Sequence, residues 1–350
     1  MGKRIRLLWD FMKGNRLIFL GAILLVGLSA LVSMLSPLVM SFTLDNVLGD
    51  KEIVLPSLID RLVTALGGMD TLKRNIWICG LTLLAITIVN GAFQFLRGKW
   101  SARAAETIAR NMRDRLYGHI QSLPYDYHVK AETGDLIQRC TSDVETVRRF
   151  LAVQLVEVGR AVFMLASALV IMVNIDLQMT LVSMAVVPFI FSFAFVFFIK
   201  IQKAFLKSDE CEGSLSTMLQ ENLTGIRVVR AFGRQAWENA RFDEKNKELR
   251  DLNNRLIRLL AMYWSLSDGI ALLQIGVVVV LGVFRASTGA ITFGEMTVFT
   301  SYVSMLLWPI RQMGRILTDM GKTLVSIGRI GEVLDTPVET QDEDCLKPPI

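Results

Sequence analysis

Apolar residues fall into long uncharged runs along this chain, separated by dense polar stretches. No Asp, Glu, Lys or Arg occurs between Arg16 and Asp45, between Arg74 and Arg97, or between Asp176 and Lys200. Each run exceeds the roughly 20 residues a helix needs to cross a hydrocarbon core. Three further stretches bring the expected spans to six. They are 161–175, preceded by an apolar segment with Glu157 and Arg160; 259–284, which contains Asp268; and 296–310, which ends at Arg311. The first run is too long for the apolar part of a cleavable signal, and no small-residue cleavage site marks its end.

The polar stretches are patterned too. In "SARAAETIARNMRDRLYGHIQSL" the apolar residues Ile108, Met112, Leu116 and Ile120 recur every four positions, which predicts a helix face. "LKSDECEGSLSTMLQENLTGIRVVRAF" and "NARFDEKNKELRDLNNRLIRLL" are equally rich in helix formers. The expected architecture is therefore all-α. Membrane helices continue past the bilayer by twenty-odd residues, on the order of 30 Å at 1.5 Å per residue, then turn and come back. Three units are expected: an interfacial elbow helix over 1–16, a six-helix body over 17–335, and a linker over 336–350. The elbow is the basic, amphipathic "GKRIRLLWDFMKGNR", whose apolar part is Leu7, Leu8, Trp9 and Phe11. Pro37, Pro188 and Pro309 are candidate kinks in their helices.

Composition sharpens this only modestly. The chain is 52% hydrophobic and 20% charged, with a mean hydropathy of +0.43, against about 25% charged in soluble domains. Charge placement says more. Lys and Arg concentrate at the amino terminus and in 97–149 and 200–258, and are sparse in 42–73, 174–178 and 285–295. The positive-inside rule then puts both termini in the cytoplasm of a multi-pass protein of the cell (inner) membrane. The net charge of +5 does not argue for nucleic acid, because the basic residues are interleaved with acidic ones. Cys79, Cys140, Cys211 and Cys345 are scattered, without metal spacing, and His119 and His128 are isolated. No metal site is expected.

The turns between paired polar helices carry the candidate chemistry. "LPYDYH" breaks one helix at Pro124, and "ETGDLIQRCTSDVETV" follows with Leu136, Ile137 and Cys140 as a short apolar face. The second turn, "TGIRVVRAFGRQAWENARF" over 224–242, has a break at Gly225, a short apolar run and a turn at Gly233. A small apolar face inside a polar rim is the composition of a docking site.

At these residues the chain resembles the transmembrane domain of ATP-binding-cassette (ABC) exporters, the membrane half of a multidrug or lipid exporter. "TGDLIQRCTSDVETV" is similar to the family's first cytoplasmic loop, and "ENLTGIRVVRAFGRQAWENARF" to its second. "ITFGEMTVFTSYVSMLLWPI" and "SIGRIGEVLDTPVE" are similar to the start and exit of its sixth helix. The resemblance covers essentially the whole chain. It implies coupling helices at 132–143 and 232–242 that dock into nucleotide-binding domains. It assigns docking to Leu136, Ile137 and Arg139 at the first and to Phe232, Trp237 and Glu238 at the second. Asp143 belongs to the same motif, and Gly134 and Gly225 would permit the turns. For each of these residues, packing within its own hairpin is the alternative. The resemblance further implies a second transmembrane half, in a homo- or heterodimer within membrane lipid, and alternating access between two orientations of one pathway.

ATP and Mg²⁺ would bind at the associated nucleotide-binding domain only. No G-x-x-x-x-G-K-[ST] phosphate loop occurs in these 350 residues. "GKTLVSIGR" at 321 has no glycine five residues before its Gly, and "ASTGAITFG" lacks the Lys-Ser/Thr pair. The expectation is thus a membrane half whose ATPase lies beyond residue 350 or on another chain, with no catalytic residue of its own. A non-transporting membrane regulator on the same scaffold is the alternative. Cargo candidates are Asp268, a charge within a span, and the aromatics Trp264, Phe299, Tyr302 and Trp308, with Tyr263 beside them. For Asp268 the competing reading is a structural partner, and for the aromatics it is contact with lipid.

Overall fold

The computed structural model describes residues 9–12, 14, 16–49 and 68–339. Its elements among these residues are helices: α1 (Arg16–Leu48), α2 (Gly68–Arg74), α3 (Trp77–Gln121), α4 (Tyr125–Lys130), α5 (Thr133–Ile175), α6 (Leu177–Thr224), α7 (Ile226–Ala231), α8 (Gln235–Ser287) and α9 (Phe293–Asp335). The last turn of α1 and two turns of α5, Arg139–Asp143 and Phe150–Gln154, widen to π geometry. Pro37, Pro188 and Pro309 lie inside α1, α6 and α9.

Length alone carries these helices beyond a bilayer. α3, α6 and α8 run for 45, 48 and 53 residues, or about 68, 72 and 80 Å, against a hydrocarbon core of about 30 Å. The excess lies at the end that holds 97–149 and 200–258, called here the basic end. Helices α1, α3, α5, α6 and α8 are each long and apolar enough to cross a membrane. The sixth expected span, in α9, falls short of that measure: its stretch 296–310 is diluted by Thr, Ser and Tyr and ends at Arg311. The physical reason is its place in the bundle. Val298, Phe299, Tyr302, Val303 and Leu306 of α9 are buried against other helices, so this helix does not have to satisfy lipid.

Two groups of helices share α9. One is α1 with α3 and α5; the other is the α6–α8 pair. At the basic end, Ile108, Met112 and Leu116 of α3 are fully buried against Val144, Val147 and Leu151 of α5 and Ile330 of α9, which is the face their spacing of four predicts; Ile120 is half-buried beside them. Phe11 and Met12 are buried in the same cluster, and Arg115 lies over the Phe11 ring at 5.4 Å. Residues 9–11 are helical, with Trp9 exposed and Arg16 over its ring at 4.7 Å. Of the expected elbow, 1–8, 13 and 15 lie outside the described residues, as do 50–67 of the long first loop and 340–350 of the expected linker.

Polar caps fasten the opposite end. Asp176, the single residue between α5 and α6, accepts from the Met179 backbone at 2.7 Å and pairs with Arg285 of α8. Arg285 also donates to Gln178 at 2.5 Å. Helix α9 opens with a capping box: the Thr292 hydroxyl accepts from the Glu295 N–H at 3.0 Å, and the Glu295 carboxylate accepts from the Thr292 N–H at 2.7 Å. The buried carboxylate of Asp45, in the last turn of α1, accepts from the Gly294 N–H at 3.0 Å and from the Thr292 hydroxyl.

Near the start of α9, the Tyr302 hydroxyl donates to the Met34 carbonyl of α1 at 2.8 Å, with the ring fully buried. Tyr302→Phe removes the bond and keeps the shape. The expected loss is about 1 kcal/mol, since polar contacts inside bundles contribute about 0.6–1.5 kcal/mol each. Thermal unfolding of the purified protein in detergent reads it.

Candidate functional site

The first tip joins α3 to α5 through Ser122, Leu123, the N-capping Pro124 and the single turn α4. Helix α5 then starts at Thr133, and its first turns present Ile137 to solvent at 59% exposure, with Leu136 half-buried and Gly134 exposed. A shallow groove of about 320 Å³ runs beside them, lined by Tyr127, Lys130, Glu132, Asp135 and Arg139.

Arg139 reaches from this groove across to α9, and Asp143 faces into the bundle. Arg139 Nε donates to Asp135 at 2.8 Å, and its Nη1 donates to the Arg329 carbonyl of α9 at 3.0 Å and lies 3.5 Å from Glu332. Asp143 is buried, and its Oδ1 accepts from Ser326 at 2.8 Å and Arg329 at 2.5 Å. Arg139 thus has partners on α9 while it lines the groove beside the tip. Both residues clamp the start of α5 to the last turns of α9, and the sequence reading missed their partners Ser326, Arg329 and Glu332. The chain leaving α9 is held as well: the His119 ring meets the Thr336 carbonyl at 3.0 Å, and Glu339 N–H donates to the Ser122 carbonyl at 2.9 Å.

A charge network backs the first tip. Arg148 of α5 forks onto Glu145 at 2.7 and 2.5 Å and reaches Glu106 of α3 at 2.8 Å, and Arg113 stands 3.9 Å from Glu145. Glu145 lies well below the apolar run 161–175. Its pKa is lowered, chiefly by the hydrogen bond from Arg148. Its stabilising share is therefore present above the ordinary glutamate range and is lost only as pH falls below it.

The second tip has a different shape from the one expected. The short helix is α7, Ile226–Ala231, and α8 begins at Gln235; most of the expected coupling segment 232–242 is the first two turns of α8. The chain breaks between α6 and α7 at Gly225 and turns at Gly233, the two glycines the sequence marked there. Gly225 (φ −89°) and Gly134, inside α5, have no positive φ, whereas Gly233 does, at φ +64°. Only Gly233 needs the freedom that lacking a Cβ confers. Apolar side chains cluster here in the open: Val228 at 60% exposure, Phe232 at 78% and Trp237 at 53%, with Leu223 and Ile226 beside them. Arg241 lies over the Trp237 ring at 5.6 Å and 3.8 Å from Glu238.

The span-level candidates divide. Phe299 and Tyr302 are fully buried inside the protomer, so they line no cavity in this structure. An apolar position in a membrane helix can face core or lipid alike, and periodicity could not separate these. Trp308 is exposed and stacks on Trp264 at 6.0 Å between centroids. Asp268, 61% exposed, accepts from buried Arg311 at 2.6 Å, and Arg311 also lies 5.1 Å over Trp264. The Tyr263 hydroxyl donates to the Arg311 carbonyl at 2.8 Å, while its ring packs among Phe193, Phe197 and Phe198. Asp268 thus has the structural partner that the sequence left open, and its outer face remains open.

Residues 18–310 match the family model for the ABC transporter transmembrane region. The chain belongs to this family. Among similar curated proteins is the uncharacterized ABC transporter ATP-binding protein YknU of Bacillus subtilis, 24% identical over 341 residues, covering 97% of this chain and 54% of the relative. Another is a putative multidrug export ATP-binding/permease protein of Staphylococcus aureus, 25% identical over 280 residues, covering 79% of this chain and 46% of the relative. The chain spans about half the length of these relatives. Family membership makes it a multi-pass membrane protein with an all-α exporter-type transmembrane fold.

Proposed function

We propose that this chain is the membrane half of an ATP-driven exporter. It pairs with a second copy or a paralogue to enclose one substrate pathway, and it alternates between two orientations when associated nucleotide-binding domains bind and release ATP and Mg²⁺. The two tips are the coupling elements. The basic end is cytoplasmic under the positive-inside rule, which places both tips where ATPase domains would be.

The observation that carries this reading is the second tip. Phe232 and Trp237 are large apolar side chains exposed at 78% and 53%, at the far end of helices that outreach a bilayer by tens of Å. Exposed aromatics inside a polar rim mark an interaction surface. In a family named for ATP-coupled transport, a nucleotide-binding domain fits that surface.

Phe232→Ser with Trp237→Ser tests it. Neither side chain has much burial to lose, so thermal unfolding should shift by less than about 0.5 kcal/mol. ATP-driven accumulation of amphiphilic dyes, one anionic and one cationic, in inside-out vesicles, with the ATPase present, should fall at least about tenfold for whichever dye is moved. A non-transporting regulator would show no ATP-dependent cargo movement even in the unsubstituted complex, and that result would end the export reading.

A further inference from the structure

Two clefts flank α9 where its apolar run gives way to charge. One, of about 660 Å³, lies between α5 and α9 and is lined by Arg149, Phe150, Val153, Arg315, Asp319 and Lys322 among others. The other, of about 300 Å³, lies between α6 and α9 and takes Phe195, Phe198, Ile199, Leu317 and Val325. Lys322 lines both. Each falls in the size range of small-molecule sites.

Their chemistry differs in a directed way. In the larger cleft, Arg315 has no hydrogen-bond or ion-pair partner among the described residues, and Arg149 comes only within 3.8 Å of Glu145. Glu145 is already neutralised by its fork with Arg148, and Asp319 accepts from Gln154 at 3.0 Å. Arg149 and Arg315 therefore face the space against one free-standing carboxylate, with Lys322 at its edge. Lys322 lies between this patch and the apolar cleft, its ammonium 5.5 Å over the Phe205 ring. Along α9, Arg315 and Lys322 stand about 6 and about 16 Å below Arg311, where the apolar run ends. Phe195, Phe198 and Ile199 belong to the last apolar turns of α6 before Lys200. Along α9 the two clefts stand at the same level, over 314–325 and 315–323, the apolar one on the α6 side of the helix and the cationic one on its α5 side.

We infer that the paired clefts form one site for an amphipathic anion. Arg149, Arg315 and Lys322 hold a phosphate, carboxylate or sulfonate head, and the apolar body lies along Phe195, Ile199, Leu317 and Val325. The head is a hydrogen-bond acceptor that guanidinium and ammonium groups recognise. The inference names a cargo class for the exporter and rests on that reading.

The test is equilibrium binding to the full chain in phosphatidylcholine nanodiscs without nucleotide, measured against empty nanodiscs. The probes are decyl phosphate, decyltrimethylammonium and inorganic phosphate. Decyl phosphate is expected to bind best. Arg315→Gln with Lys322→Gln should weaken it at least about tenfold, Val325→Asp should weaken it comparably, and Lys322→Arg should retain it. Equal binding of decyltrimethylammonium, or binding unchanged in the charge variants, would overturn the site. Inorganic phosphate binding as tightly as decyl phosphate would show a free-anion site and overturn the amphiphile assignment. Because no ATP is present, failure here strikes this site alone, whereas the vesicle assay above judges export itself.

Discussion

Asp143→Ala is expected to lower the stability of the protein by about 2 kcal/mol and to separate ATP consumption from cargo movement. The carboxylate is buried and bound by Ser326 and Arg329, so its removal strips two donors of their acceptor. Breaking a buried ion pair costs about 3–5 kcal/mol. Arg329 keeps about a third of its surface in solvent, which screens the charge left behind and trims the figure. Thermal unfolding in detergent measures the first effect. For the second, the ratio of cargo moved to ATP hydrolysed should fall several-fold, because the start of α5 is no longer held to the end of α9. Asp143→Asn retains an acceptor for Ser326 and should lose roughly half as much stability. An unchanged transport ratio in both variants would mean that the clamp is only architectural.

Gly294→Val should be more damaging still. A Cβ at this position would stand 2.6 Å from the Ser41 carbonyl oxygen and would meet the Asp45 carboxylate. Backbone cannot yield as a side-chain tip can, so α1 and α9 must part at their capped ends. Overpacking costs about 1–3 kcal/mol, and the caps on Gly294 and Thr292 are lost with it, for a total of at least about 3 kcal/mol. Folded yield from membranes should drop sharply. Gly276→Val provides the contrast, since nothing lies within 4 Å of that Cβ position, and its yield should hold.

Local pattern carried much of the fold. Uncharged runs longer than a bilayer marked three spans and shorter or charge-bearing apolar stretches marked the rest, while the spacing of Ile108, Met112 and Leu116 marked a buried face far outside any membrane. Pairings across long separations were beyond it. Asp143 with Arg329 and Asp45 with Thr292 bring together residues 186 and 247 positions apart, and no local pattern encodes such a meeting. The tips were located as turns, with Gly225 at the break and Gly233 at the turn, but Gly134 lies inside α5, because a glycine in a polar stretch signals nothing about φ until its neighbours are placed. That Phe299 and Tyr302 are buried within the protomer was not legible, for a related reason. Within a bilayer the solvent is itself apolar, so hydrophobicity no longer distinguishes inside from outside.

The length of α8 has a mechanical consequence. From Gln235 to Ser287 it has no proline and no change of helical geometry, so it bends little and acts as a lever. Tyr263, wedged among the phenylalanines of α6, is the natural fulcrum. Trp237 lies 26 residues away, about 39 Å along the axis. A tilt of about 5° about Tyr263 would carry Trp237 sideways by about 3 Å. The arm beyond Tyr263 is nearly as long, 24 residues to Ser287 or about 36 Å, so a push at the tip reaches the far end of α8 almost undiminished and in the opposite direction.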